Sequence, residues 1–216
     1  MINSKFKNLP VIFALKQEAK YFNPPPGIQL FYCGMGNKNA EKFINELLKN
    51  SRPSILFTCG LAGALNPGIK LNSIVFSASE ELALLFNQLD AIEGRFYCSN
   101  RVICSSKEKL ALYRETGADA VEMESGIIKE ICKRHNIPAV TVRVISDIAQ
   151  EDLPLDFNDY IDENGDIKIS KILMKIATNP QLAARLINFQ KQTDNAARAL
   201  GEFLNKFFKE ATQFGK

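Results

Sequence analysis

The 216-residue sequence contains no tryptophan and a single histidine, His135. With one imidazole, near the polar end of an expected helix, a Ser-His-Asp hydrolase is a poor reading and His135 reads as a surface residue. The five cysteines, Cys33, Cys59, Cys98, Cys104 and Cys132, are odd in number and form no C-x-x-C pair. Neither a disulfide framework nor a thiolate zinc site is suggested, and reduced, mostly buried thiols are expected. No apolar run approaches the ~20 residues that span a bilayer, and the segment from Met1 to Leu15 lacks a signal peptide's apolar stretch and cleavage site. A soluble, cytoplasmic protein is therefore expected. The 27 Lys and Arg stand against 24 Asp and Glu, a net +3, without a block of like charge suited to a polyanion. Nucleic-acid binding is not expected, and neither metal nor organic cofactor is implied.

What is present is enough apolar material, 46% of residues, for one sizeable core, so a single domain over residues 1–216 is expected. Apolar or β-branched runs at Val11–Leu15, Ile28–Cys33, Ile55–Cys59, Ser73–Ser77 and Ala139–Ile145 read as strands. Several are continuous, which suits strands covered on both faces. Helical stripes run through Asn39–Asn50 (Ala40, Phe43, Ile44, Leu47, Leu48) and Met123–Arg134 (Met123, Ile127, Ile128, Ile131, Cys132). A closing helix at Pro180–Phe208 carries Ala196, Ala199, Leu200, Phe203, Leu204 and Phe207 at the same spacing. Asn23 to Gly27 reads as a rigid turn and Asp159–Asp166, with Gly165, as a polar loop. The fold class is α/β, three layers with a mostly parallel or mixed twisted sheet between helices.

Ligand sites in such sheets form beyond the carboxyl ends of the strands. Three segments lie there. In Cys59-Gly60-Leu61-Ala62-Gly63-Ala64, small residues after a strand make either a tight turn or a place where backbone N–H groups approach a ligand. Arg143-Val144-Ile145-Ser146-Asp147 ends an apolar strand in an acid. Burial could keep Asp147 protonated as a donor, or Asp147 could cap a following helix. In Val121-Glu122-Met123-Glu124-Ser125 two acids open a helix, where the dipole welcomes them; alternate residues point apart, so one could face a ligand and the other the framework. Gly34-Met35-Gly36 invites a dinucleotide reading, but position 39 is Asn and the third glycine is missing.

In order and spacing these segments, with Ala14-Leu15-Lys16-Gln17-Glu18-Ala19, resemble the nucleoside phosphorylase and nucleosidase family. The nearest likenesses are to 5′-methylthioadenosine/S-adenosylhomocysteine nucleosidases and hopanoid-associated phosphorylases, over about Leu9 to Asp147. The resemblance implies cleavage of the N-glycosidic bond of a purine, adenine-type nucleoside. Asp147 would protonate the leaving base, Glu18 activate water, Glu124 hold the ribose hydroxyls and Met123 pack on the sugar. Glu122 and Ser146 would also serve substrate binding, as would Gly60, Leu61, Ala62 and Gly63. Arg143 would line the nucleophile's side, and Val102 and Ile103 would lie near the base edge.

Leu61 stands where the hydrolases commonly carry a serine, and Gln88–Val102 is short and unlike the corresponding nucleosidase stretch. A carboxylate beside the nucleophile favours water over phosphate, because like charges repel at short range. Hydrolysis is preferred. The alternatives are phosphorolysis of a purine nucleoside or adenosyl-lipid, with phosphate as co-substrate, and a nucleoside-binding protein without turnover. Asp147→Asn is expected to cost turnover far more than stability. Relatives form dimers, trimers or hexamers, and the resemblance implies a homo-oligomer, a dimer above the others.

Overall fold

A computed structural model describes residues 8–162 and 168–213. The elements in chain order are β1 (Leu9–Phe13), β2 (Ile28–Tyr32), α1 (Asn37–Asn50), β3 (Leu56–Ala64), β4 (Ile74–Ser77) and α2 (Glu80–Gln88). There follow β5 (Ile92–Glu93), β6 (Phe96–Cys98), α3 (Ser106–Thr116), β7 (Ala120–Glu122), α4 (Ser125–Arg134) and β8 (Ala139–Asp147). A short 3-10 turn (Phe157–Tyr160), α5 (Ile169–Thr178) and α6 (Pro180–Gln213) complete the order. The latter part of the polar loop expected at Asp159–Asp166, Gly165 included, lies outside the described residues.

The strands form one mixed sheet in the order β2-β1-β3-β8-β4-β5, with β7 antiparallel to β3 and β6 parallel to β7. The central strands β1, β3 and β8 are parallel, so their carboxyl ends open on one side of the molecule. Alternation along β1 explains why its sequence is apolar throughout. Val11 and Phe13 join the core under α2 and α6, with Phe57, Phe76, Phe86, Leu200, Leu204, Phe207 and Phe208. Ile12 points the other way, into the layer of Ala40, Ile44 and Leu48 from α1 and Ile128, Ile131 and Cys132 from α4. The three-layer α/β arrangement expected from the strand pattern is what the structure has.

The differences are instructive. Gly60 to Ala64 is neither a turn nor a loop: β3 runs on through it, held by β8 on one edge and β7 on the other. The short strands β5, β6 and β7 and the helices α2, α3 and α5 were not anticipated. Helix α3 buries only Lys109 and lacks a clear apolar stripe, whereas α5 does carry one, Ile169, Ile172, Leu173 and Ile176, which the sequence reading passed over and which is not buried. His135 is an exposed cap of α4, as expected. All five thiols are unpaired, but only Cys59 and Cys132 are fully buried; the other three are half-buried. No helix among the described residues is long and apolar enough to cross a membrane.

Candidate active site

A cavity of about 850 Å³ lies over the carboxyl ends of the central strands, within the size range of small-molecule sites. Its wall includes Glu18, Met35, Leu61, Ala62, Gly63, Val102, Ile103, Glu122, Met123, Glu124, Ser146 and Asp147. Segments far apart in the chain thus meet at one cavity. Two of the residues expected there, Gly60 and Arg143, are not part of that wall.

Glu18 sits in the irregular segment after β1, whose two carboxylate oxygens accept the main-chain N–H of Leu15 (2.8 Å) and Leu61 (2.9 Å). Leu61 therefore serves through its backbone, which any residue at that position would offer. Gly60 makes room for the acid: a Cβ there would stand 2.7 Å from Glu18 Oε1. Burial pushes the Glu18 carboxyl above its ordinary range, against the pull of those N–H groups and of Arg143. The segment is clamped onto α6. Gly201 lets the Tyr21 backbone come within 2.5 Å of where a Cβ would lie. In addition, Lys20 and Tyr21 both bond Asp194, each at 2.8 Å.

The two acids of Glu122-Met123-Glu124 do part company. Glu122 Oε2 accepts the N–H groups of Glu124 (3.1 Å) and Ser125 (2.7 Å) at the start of α4 and pairs with Arg143 Nη2 at 2.6 Å. Arg143 also donates to Thr58 through its carbonyl (2.8 Å) and hydroxyl (3.2 Å). Its guanidinium is 2% exposed, so Arg143 is a buried brace for Glu122 and does not line the nucleophile's side. Glu122, its side chain fully enclosed, likewise faces the framework although it borders the cavity. Glu124 takes the other direction. Its Oε1 accepts the Gly36 N–H (2.8 Å) while Oε2 lies 3.9 Å from Arg143. That contact gives the start of α1 to a protein carboxylate, against the dinucleotide reading of Gly34-Met35-Gly36. Burial, and then the charge of Glu122, raise the Glu124 carboxyl to about 7 despite Arg143.

Asp147 ends β8 at a bulge. Ala62 pairs with Ile145 but Gly63 pairs with Asp147, leaving Ser146 as the extra residue. A bulge re-aims the next side chain and is common beside active sites. Ser146 Oγ donates to Asp147 Oδ1 (2.8 Å), so the serine orients the acid. Gly63 is again a matter of space, since a Cβ there would lie 2.8 Å from Asp147 Oδ2. Asp147 does not cap a helix; its Oδ2 instead meets the ammonium of Lys109 at 2.5 Å. Lys109 is fully buried, and it also donates to the carbonyls of Ile148 (3.1 Å) and Glu151 (2.9 Å). This ion pair corrects the expectation of an acid kept protonated by an apolar mouth alone. Sequence reading missed Lys109, which sits among Ser105-Ser106-Lys107-Glu108 and looks like part of a solvated face.

At the far side, Val102 has both main-chain polar groups engaged by the Asn158 side chain (each 2.9 Å). Ile103 is buried beside it. Leu153, Phe157, Ile161 and Phe189 extend the wall as an apolar flank that the sequence reading did not anticipate. Gln192 of α6 secures the loop after β8 through Ser146 O (2.8 Å) and Glu151 (3.0 Å). Among the described residues, no group of three or more His, Cys, Asp or Glu is placed to hold a metal ion.

This arrangement has relatives. Residues 75–178 match the model of the Phosphorylase superfamily, a stretch that contains Lys109, Glu122, Glu124, Arg143 and Asp147 but not Glu18. A 5′-methylthioadenosine/S-adenosylhomocysteine nucleosidase of Anoxybacillus flavithermus is 23% identical over 170 residues, 62% of this chain and 73% of that protein. The fold is shared with the futalosine hydrolase of Helicobacter pylori (TM-score 0.70, 16% identity, 96% of this chain and 99% of that one). It is shared too with the 5′-methylthioadenosine/S-adenosyl homocysteine nucleosidase of Helicobacter pylori, solved in complex with a substituted pyrrolidin-3-ol (TM-score 0.68, 17% identity, 95% of this chain and 99% of that one). Over residues 75–178, and in its overall fold, the chain is thus similar to the phosphorylase superfamily and to nucleoside hydrolases.

Proposed function

We propose that this chain hydrolyses the N-glycosidic bond of a purine nucleoside, of the adenine type, releasing the free base. Asp147 supplies the proton to the leaving base and Glu18 takes a proton from the attacking water. Glu124 bonds the ribose hydroxyls, Met123 packs on the sugar, and the base lies against Val102 and Ile103. As the bond breaks, the ribose acquires oxocarbenium character. Bonds from a carboxylate then strengthen, and a protonated base leaves more readily.

The observation that carries hydrolysis over phosphorolysis is the fixed Glu18 carboxylate combined with the commitment of Arg143 to Glu122 and Thr58. A phosphate dianion there would meet an anion without that guanidinium to balance it. Each pair of like unit charges at about 4 Å costs about 4 kcal/mol at an effective dielectric near 20. Water carries no such penalty.

The test is base release from methylthioadenosine, adenosine and inosine, with and without phosphate. Full activity in phosphate-free buffer is expected. Strict dependence on phosphate would establish phosphorolysis instead, and binding without release from any of the three would mark a binding protein.

A further inference from the structure

The proposed chemistry asks Asp147 to give up a proton, yet the structure sets that carboxylate 2.5 Å from an ammonium. An aspartate in an ion pair has no proton of its own to donate. The nearest one available is on its partner.

Lys109 is placed to supply it. All three of its donors are engaged inside the protein, by Asp147 Oδ2 and by the carbonyls of Ile148 and Glu151. The other groups near this pair are accounted for. Glu151 accepts from Gln192 of α6, and Asp152 is held by the Ser106 main chain at 2.6 Å. Glu108, on the same helix, pairs with Arg101. Across the sheet β3 offers only Gly63 to the carboxylate, and Glu122 of β7 belongs to Arg143. None of these is bonded to the Lys109 ammonium through its side chain.

Resting on the nucleosidase reading above, we propose that Lys109 is the positioning residue and proton reservoir of Asp147. In the step, the bonding pair of the breaking C–N bond passes to the base, whose ring nitrogen takes a proton through Asp147. Oδ2 receives the proton that Lys109 releases, leaving a neutral amine against two carbonyls. After the base departs, the amine regains its proton from water. The net change is one proton moved from Lys109 to the base, and the ribose cation is captured by water as before. Transfer from Lys109 to Oδ2 first turns the ion pair into a neutral pair, which the low-polarity surroundings favour; once the base has taken the proton, the Asp147 carboxylate lies beside a neutral amine until water restores the ammonium.

The experiment compares two substrates in wild type and Lys109→Met. Methylthioadenosine has a base that must be protonated to leave; 4-nitrophenyl riboside has a phenolate that leaves without a proton. The variant is expected to lose about 100-fold in kcat on methylthioadenosine, in the range of general-acid effects, with 4-nitrophenyl riboside cleaved at the wild-type rate. Equal losses on both substrates would reduce Lys109 to a structural brace, and no loss on either would remove it from the reaction; both overturn the proposal. Should the variant fail to fold, the wild-type pH profile decides. Turnover of methylthioadenosine holding level above pH 8 is expected, whereas a tenfold fall per pH unit from the carboxylic acid range upward would show a lone aspartic acid as donor. If wild type releases base from no nucleoside, the function reading itself has failed, a result separate from either.

Discussion

Two carboxylates, Glu18 and Asp147, border the same cavity, and their surroundings are opposite. Glu18 is held by neutral N–H groups, with the nearest guanidinium turned away to Glu122. Asp147 is held by a hydroxyl and a buried ammonium. A carboxylate tied only to N–H dipoles and raised by burial is suited to receive a proton. One in contact with an ammonium can pass a proton along. On the proposed function, the same functional group is prepared for two roles by what lies behind it rather than by what lies in front.

The comparison breaks most severely at Asp147. Asp147→Asn is expected to reduce turnover by about 10²–10⁴-fold, the span of general-acid contributions, in a base-release assay. The expectation of an unharmed fold must be revised, because the amide leaves Lys109 as an uncompensated buried charge, a loss of about 3–5 kcal/mol. Adding Lys109→Met should restore part of the melting temperature and none of the activity, which separates the two effects.

On the other wall, Glu18→Gln should lower turnover about 100-fold while leaving the melting temperature within a few degrees. Relief of a desolvated charge there offsets one lost N–H contact. A drop in stability as large as that of Asp147→Asn would show that the two acids are not held in different ways.

A smaller effect is expected from Gly63→Ala. Its methyl would lie 2.8 Å from Asp147 Oδ2, so the acid must move by several tenths of an ångström. A misplacement of that order should cost about tenfold in kcat with KM little changed, measured on the same nucleoside.

The finest test concerns Glu124. Its carboxyl is raised from 4.5 to about 7, first by burial and then by Glu122, so the folded state holds a proton that the unfolded chain releases. This contribution to stability is fully present below pH 4.5 and is lost as pH rises through about 7. Glu124→Gln should remove on the order of 1–3 kcal/mol of that decline in denaturant titrations between pH 5 and 8. On the proposed function, which puts the ionised form against the ribose, wild-type activity should rise through the same interval.

How much of this could be read in advance follows from how local each feature is. The faces of β1 and α1, the acids at the ends of strands and the stripe of α6 repeat at the periods of strand and helix, so neighbours in the chain reveal them. The Gly60 and Gly63 positions were noticed for their small size and read as a turn or a place of ligand approach; the strand rules out the turn. The space that a missing Cβ leaves goes to Glu18 and Asp147, which arrive from elsewhere in the chain. Arg143 was noticed and misplaced for a similar reason. Its direction is decided by Glu122 and Thr58 on neighbouring strands.

By itself, then, the sequence determined a sheet covered on both faces, the helices α1, α4 and α6 that do much of the covering, and which acids stand where strands end. Only the tertiary structure decided the partner of each acid. Pairing Lys109 with Asp147, or turning Asp147 through a bulge opposite Gly63, joins residues from separate elements. The free energy of such a contact depends on burial and distance, which come into being only when the sheet and its helices close around the site.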